Sequence, residues 1–151
     1  LALAQQPSFT TATYGAWIVR CQRQKEGGNV CEMVQTLTSD KDRNVMVAQV
    51  AIGQLPGTKA ARAVVQVPLG VDLTKPPALS IGDKALYSGR YVICAEKFCR
   101  AEIDLPANVA EEIGKAKKAS VNFTLMGRNV VVTMTTDGMA VAFDRALKGT
   151  V

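Results

Sequence analysis

Four cysteines, Cys21, Cys31, Cys94 and Cys99, are the residues best able to do chemistry in a chain of 151 residues that contains no histidine. The missing imidazole removes Ser-His-Asp and Cys-His nucleophile systems, the HExxH zinc site, the histidine facial triad and a histidine pH switch. Four cysteines allow three pairings, and their spacing separates them. Cys94 and Cys99 flank Ala95-Glu96-Lys97-Phe98, so a hairpin turning at Glu96-Lys97 sets the two thiols opposite each other on one face. Glu-Lys is poor chemistry for a turn needing positive φ, and a longer or bulged loop keeps the same pairing. A turn at Gly27-Gly28-Asn29, centred on Glu26, likewise sets Cys21 opposite Cys31. Both spacings, C-x9-C and C-x4-C, lie outside the zinc-knuckle pattern, and no CxxC redox motif is present. The expectation is two local disulfides, Cys21 with Cys31 and Cys94 with Cys99, in an oxidising compartment.

Other chemistry is sparse. The sequence has no G-x-G-x-x-G, P-loop, G-x-S-x-G or EF-hand loop, and therefore no cofactor or metal is expected. Its carboxylates are scattered, or sit side by side at Glu111-Glu112, where neighbouring helical residues point apart. Asp40-Lys41-Asp42-Arg43 reads as a charged turn tip, and Asn122-Phe123-Thr124 as a sequon idle in mid-strand. The formal charge of +5 comes from 18 Lys and Arg spread along the chain. Their densest groups, Arg20, Arg23 and Lys25, then Lys115, Lys117 and Lys118, lack interleaved aromatics, which argues against nucleic-acid binding. A contact with anionic lipid headgroups or acidic glycans is the use such a surface suggests, beside plain solvation.

The elements that must position these residues are mainly strands. A hydrophobic share of 48% against 21% charged fits one globular domain with no transmembrane segment. Alternation with period two marks strands over 17–21, 30–34, 43–52, 60–67, 69–73, 79–81, 87–94, 99–105, 120–126 and 130–135. Cys21 shares a face with Trp17 and Val19, and Cys31 with Met33 and Leu37, so each bridge is expected on the apolar side. Two short helices are expected at 106–118, opened by Pro106, and at 137–148, capped by Asp137 and stopped by Gly149. The predicted architecture is a single-domain antiparallel β-sandwich or open barrel of about eight to ten strands over 14–151. Residues 1–13 are expected to be an unstructured lead. Leu1-Ala2-Leu3-Ala4 matches the tail of a secretory signal cut after Ala4, with an alanine-rich terminus as the other reading.

Trp17-x3-Cys21, Cys31-x-Met33, Val67-Pro68-Leu69-Gly70-Val71, Cys94-x4-Cys99 and Asp137-Gly138-Met139 with Ala142 and Leu147 occur in that order. This set resembles the invasion-associated locus B family of exported Gram-negative bacterial proteins. The resemblance implies a periplasmic, outer-membrane-associated or secreted protein linked to host-cell invasion, without enzymatic activity or cofactor. It also implies structural roles: Trp17 as a core anchor beside the first bridge, Pro68 and Gly70 as a strand break, and Gly138 within the last motif. The expected partner is a host-cell surface or bacterial envelope component, with peripheral membrane association as one form of contact. A periplasmic carrier or chaperone-like module binding an apolar ligand or an envelope protein segment is the alternative. A histidine-free envelope enzyme requires a carboxylate cluster or Ser-Lys pair assembled by folding.

Overall fold

A computed structural model describes residues 9–25, 28–39, 41, 42, 44–55, 58 and 60–151. The large sheet contains β1 (Phe9–Tyr14), β2 (Trp17–Arg23), β3 (Asn29–Thr38), β4 (Met46–Gln54), β5 (Ala61–Pro68), β8 (Arg90–Cys94) and β9 (Phe98–Leu105). The small sheet contains β6 (Ala78–Ile81), β7 (Ala85–Ser88), β10 (Ala119–Leu125) and β11 (Arg128–Met134); the helices are α1 (Val109–Lys115) and α2 (Met139–Lys148). Strand order is β1-β2-β3-β4-β5-β9-β8 in the large sheet and β11-β10-β6-β7 in the small one. Every pairing is antiparallel and neither sheet closes, so the molecule is an open sandwich.

Alternation explains why the sheets pack as they do. Along β5 the buried residues are Ala61, Ala63, Val65 and Val67, and along β9 they are Cys99, Ala101, Ile103 and Leu105. Burying every second side chain leaves one apolar face that must be covered, and two elements cover it. Helix α2 lies against β1 to β4 with Met139, Ala142, Phe143 and Ala146 buried. The small sheet meets the large one where β11 approaches β3 and β7 approaches β9.

A polar joint locks the layers together. Gln35, only 5% exposed, donates from Nε2 to the Thr135 carbonyl at 3.0 Å and accepts the Thr135 N–H at 2.9 Å. Its amide thus imitates a neighbouring strand. Trp17 Nε1 donates to the same carbonyl at 2.9 Å, satisfying the polar end of a fully buried indole. Beside them, Gly138 caps α2 with φ +79°, and a Cβ there would lie 2.0 Å from the Tyr14 carbonyl oxygen. Only glycine fits this approach.

Several local expectations need correction. Residues 9–13 do not belong to an unstructured lead: Phe9 to Tyr14 pair fully with β2, because threonine and aromatic residues suit an extended edge. The stretch 87–94 is not one strand, since Gly89 carries the chain from β7 in one sheet to β8 in the other. A Cβ at Gly89 would sit 2.2 Å from the Glu102 carbonyl oxygen. The stretch 69–73 forms only an isolated bridge, Val71 with Leu125, because the chain turns at Gly70 with φ +100°. The strand expected over 43–52 is β4, which starts at Met46 and runs on to Gln54. The turn into β11 is Met126-Gly127, both at positive φ, rather than 127–129. Helix α1 covers only the middle of 106–118, and α2 takes Gly138 rather than Asp137 as its N-cap. The signal-peptide reading of residues 1–4 and the turn residues Glu26, Gly27, Asp40, Arg43, Pro56 and Gly57 lie outside the described residues.

Candidate functional site

The face of the large sheet opposite the core carries the most organised chemistry on the surface. Strand register sets Ile18, Val34, Ala51 and Val64 side by side across β2, β3, β4 and β5. A parallel row runs Arg20, Glu32, Gly53, Arg62 and Asp104. Gly53 adds no side chain to that row, so Arg20 and Glu32 are separated from Arg62 by a gap. There an open groove of about 300 Å³ is floored by Ala51 and Gly53, with Phe9 and Val30 toward one end.

Opposite charges alternate around this groove. Arg20 pairs with Glu32 across β2 and β3. Arg62 Nε donates to Asp104 Oδ1 at 2.8 Å, and its Nη1 lies 3.6 Å from Glu102 Oε1. Arg90 Nη2 donates to the same Glu102 oxygen at 3.0 Å and its Nη1 lies 3.6 Å from Asp104 Oδ2. The Arg62 hydrogen bond holds the Asp104 carboxyl below its ordinary value, with Arg90 adding to it, and Asp104 in turn raises Arg62. Exposed pairs of this kind contribute little to stability; they fix the side chains and the pattern of charge offered to a partner.

The cysteines are bonded as Cys21–Cys31 and Cys94–Cys99, with Cα separations of 4.0 and 3.9 Å. Cys21, Cys31 and Cys99 face the core, whereas Cys94 is exposed on the edge strand β8, contrary to the expectation that both bridges lie inside. A bulge between Tyr91 and Ile93 shifts the register of β8 just before that cysteine. Trp17 is buried, Pro68 ends β5, and Gly70 and Gly138 occupy the turns described above. Three of the six cations in the two basic groups lie beside carboxylates. Arg20 is paired with Glu32, Lys115 lies 3.7 Å from Glu112, and Lys118 lies 2.7 Å from Asp83. Arg23 and Lys25 sit at the end of β2, and Lys117 follows α1, all exposed. Of the residues that sequence reasoning missed, Glu32, Arg62, Glu102 and Asp104 alternate with core residues in their own strands, and Arg90 opens the edge strand β8. The contacts of Arg62 and Arg90 depend on β9 pairing with β5 on one side and β8 on the other.

Among the described residues no group of three or more Cys, Asp or Glu is placed to hold a metal ion, and no helix is long and apolar enough to cross a membrane. The class defined is therefore a disulfide-stapled, two-sheet β domain with a polar-patterned open face. The family model described as invasion associated locus B (IalB) protein matches residues 17–147. The chain belongs to that family. An Invasion protein B homolog of Brucella abortus strain 2308 is 31% identical over 141 residues, covering 91% of this chain and 72% of the relative. A homolog from Brucella abortus biovar 1 strain 9-941 matches to the same extent. The crystal structure of invasion associated protein B from Bartonella henselae superposes with a TM-score of 0.77 at 21% identity, covering 92% of this chain and 95% of that one. The likeness extends the shared fold over nearly the whole molecule.

Proposed function

We propose that this domain is an exported, non-enzymatic interaction module that supports bacterial invasion of host cells. The open face of the large sheet carries the reading: an apolar row beside alternating Arg and Glu or Asp is a recognition pattern rather than a reacting constellation. Membership of the invasion associated locus B family and two disulfides support work outside the cytoplasm, in the periplasm, at the outer membrane or beyond it. The partner is a host-surface or envelope component with a complementary face of apolar and charged groups. A strain lacking the gene grows normally but loses invasion, and the wild-type gene restores it. The double variant Ile18→Asp/Arg20→Glu, changed at exposed positions, is exported and folded yet fails to restore invasion. Unchanged invasion after deletion, or full rescue by that variant, overturns the reading.

A second reading, a periplasmic carrier or chaperone-like module, draws on a cleft of about 350 Å³ between α1 and α2, lined by Ile113, Phe143 and Leu147. Lipid co-purifying with the protein, and released by Phe143→Ala, favours it over contact through the open face.

A further inference from the structure

We propose that β11 is a dimerisation edge, on which a second copy of this chain pairs antiparallel about Val131 to join two small sheets into one. Edge strands in stable monomers are shortened, bulged, charged or covered. Among the described residues, β7 has only 4 residues, β8 is interrupted by a register shift beside Arg90, and β1 packs against α2. Strand β11 differs from β7 in length and from β8 in continuity. From β1, which is equally unbroken and free of Lys and Pro, it differs in that no helix packs against it as α2 does against β1. It pairs with β10 without interruption over 7 residues, contains neither Lys nor Pro, and carries Arg128 only at its first position.

Register shows which backbone groups β11 leaves for a partner. The Met126-Gly127 turn pairs Leu125 with Arg128, so Arg128, Val130, Val132 and Met134 direct their N–H and C=O groups toward β10. Asn129, Val131 and Thr133 direct theirs outward. The next residue of that set, Thr135, confirms the parity, because its N–H and C=O are both bonded by the Gln35 amide. Gln35 therefore already occupies the partner's place at Thr135 and limits an added strand to 129–133.

That open segment is self-complementary. A two-fold axis at Val131 sets Val131 against its own copy, Asn129 against Thr133, and Val130 against Val132, with β-branched pairs on both faces and polar pairs at the ends. No like charges meet, since Arg128 falls opposite Met134. The register that would pair Asn129 with Thr135 is blocked by Gln35. Val131 is 65% exposed, and it lines, with Pro76, Ala78 and Leu86, a groove of about 390 Å³ on the outer face of the small sheet. Pairing about Val131 places the two copies' grooves on the same face of one continuous sheet.

Sedimentation velocity on the full, disulfide-intact chain from about 10 µM to about 1 mM tests this. Wild type shifts from monomer toward dimer with concentration, and Val131→Lys stays monomeric with unchanged tryptophan emission. Register is read by mild oxidation: Val131→Cys gives a covalent dimer, Asn129→Cys alone gives at least about tenfold less, and an Asn129→Cys plus Thr133→Cys mixture crosslinks. A wild type that remains monomeric throughout, including one whose edge captures a strand of another protein instead, overturns the proposal. So does a dimer indifferent to Val131→Lys or crosslinking at Asn129 as well as at Val131.

Discussion

Replacing Gln35 by alanine removes the amide that holds Thr135 between the two sheets. The Thr135 carbonyl keeps its 2.9 Å bond from Trp17, so the N–H is the group left without a partner. An orphaned buried donor costs about 1–3 kcal/mol, and losing the second, shared bond adds about 0.5–1 kcal/mol. A total of about 1.5–4 kcal/mol lowers Tm by about 3–16 °C for a domain of this size. Guanidinium unfolding followed by intrinsic fluorescence measures it directly, because the chain has one tryptophan and that indole donates to the same carbonyl. Gln35→Glu sharpens the test. The introduced carboxylate can still accept the Thr135 N–H but faces the Thr135 carbonyl with no proton to give, so its pKa is raised in the folded state. A raised pKa contributes stability that is present below the unfolded value, about 4.3, and is lost as pH rises through the folded value. The variant is therefore close to wild type in acid and markedly weaker at neutral pH. A loss below about 0.5 kcal/mol in Gln35→Ala, or a Gln35→Glu stability that tracks wild type across pH, refutes the reasoning.

Three further outcomes follow from the same structure. Limited reduction followed by alkylation and mass mapping opens Cys94–Cys99 before Cys21–Cys31, because Cys94 is exposed while Cys21 and Cys31 are 1% and 4% exposed; removing the bridges costs roughly 2 and 2.5 kcal/mol respectively. Gly138→Ala destabilises by more than about 2 kcal/mol in a thermal melt because of its 2.0 Å clash with backbone, whereas Gly28→Ala, with open space around it, loses only about 1 kcal/mol. Carboxyl NMR titration finds Asp104 below the ordinary aspartate value, and Arg62→Ala moves it back up. A lowered folded value means that this contribution is present above the unfolded pKa and is lost as pH falls through the folded one.

Family membership was legible because its marks are local: a tryptophan four residues before a cysteine, two hairpin-spaced cysteine pairs, and a glycine at the last turn. The candidate face was legible only in halves. Alternation shows that Arg20, Glu32, Arg62 and Asp104 leave their strands on the side away from the core. The hairpin that sets Cys21 opposite Cys31 also sets Arg20 opposite Glu32, but nothing in the spacing tells that Arg62 meets Asp104. The carboxylate beside Lys118, Asp83, was likewise unreadable, because it comes from a distant segment of the chain.

The sequence by itself determined the hairpins, the disulfide register and the apolar face, because each depends on residues a few positions apart and on the period of a strand. Only the tertiary structure decided that Phe9 to Tyr14 form an edge strand, that Gly89 sends neighbouring segments into different sheets, and that Cys94 lies outside. It also decided that Gln35 clasps Thr135 and leaves the rest of the β11 edge open. Those outcomes rest on non-local pairing, in which a side chain's environment is set by whichever distant strand arrives beside it.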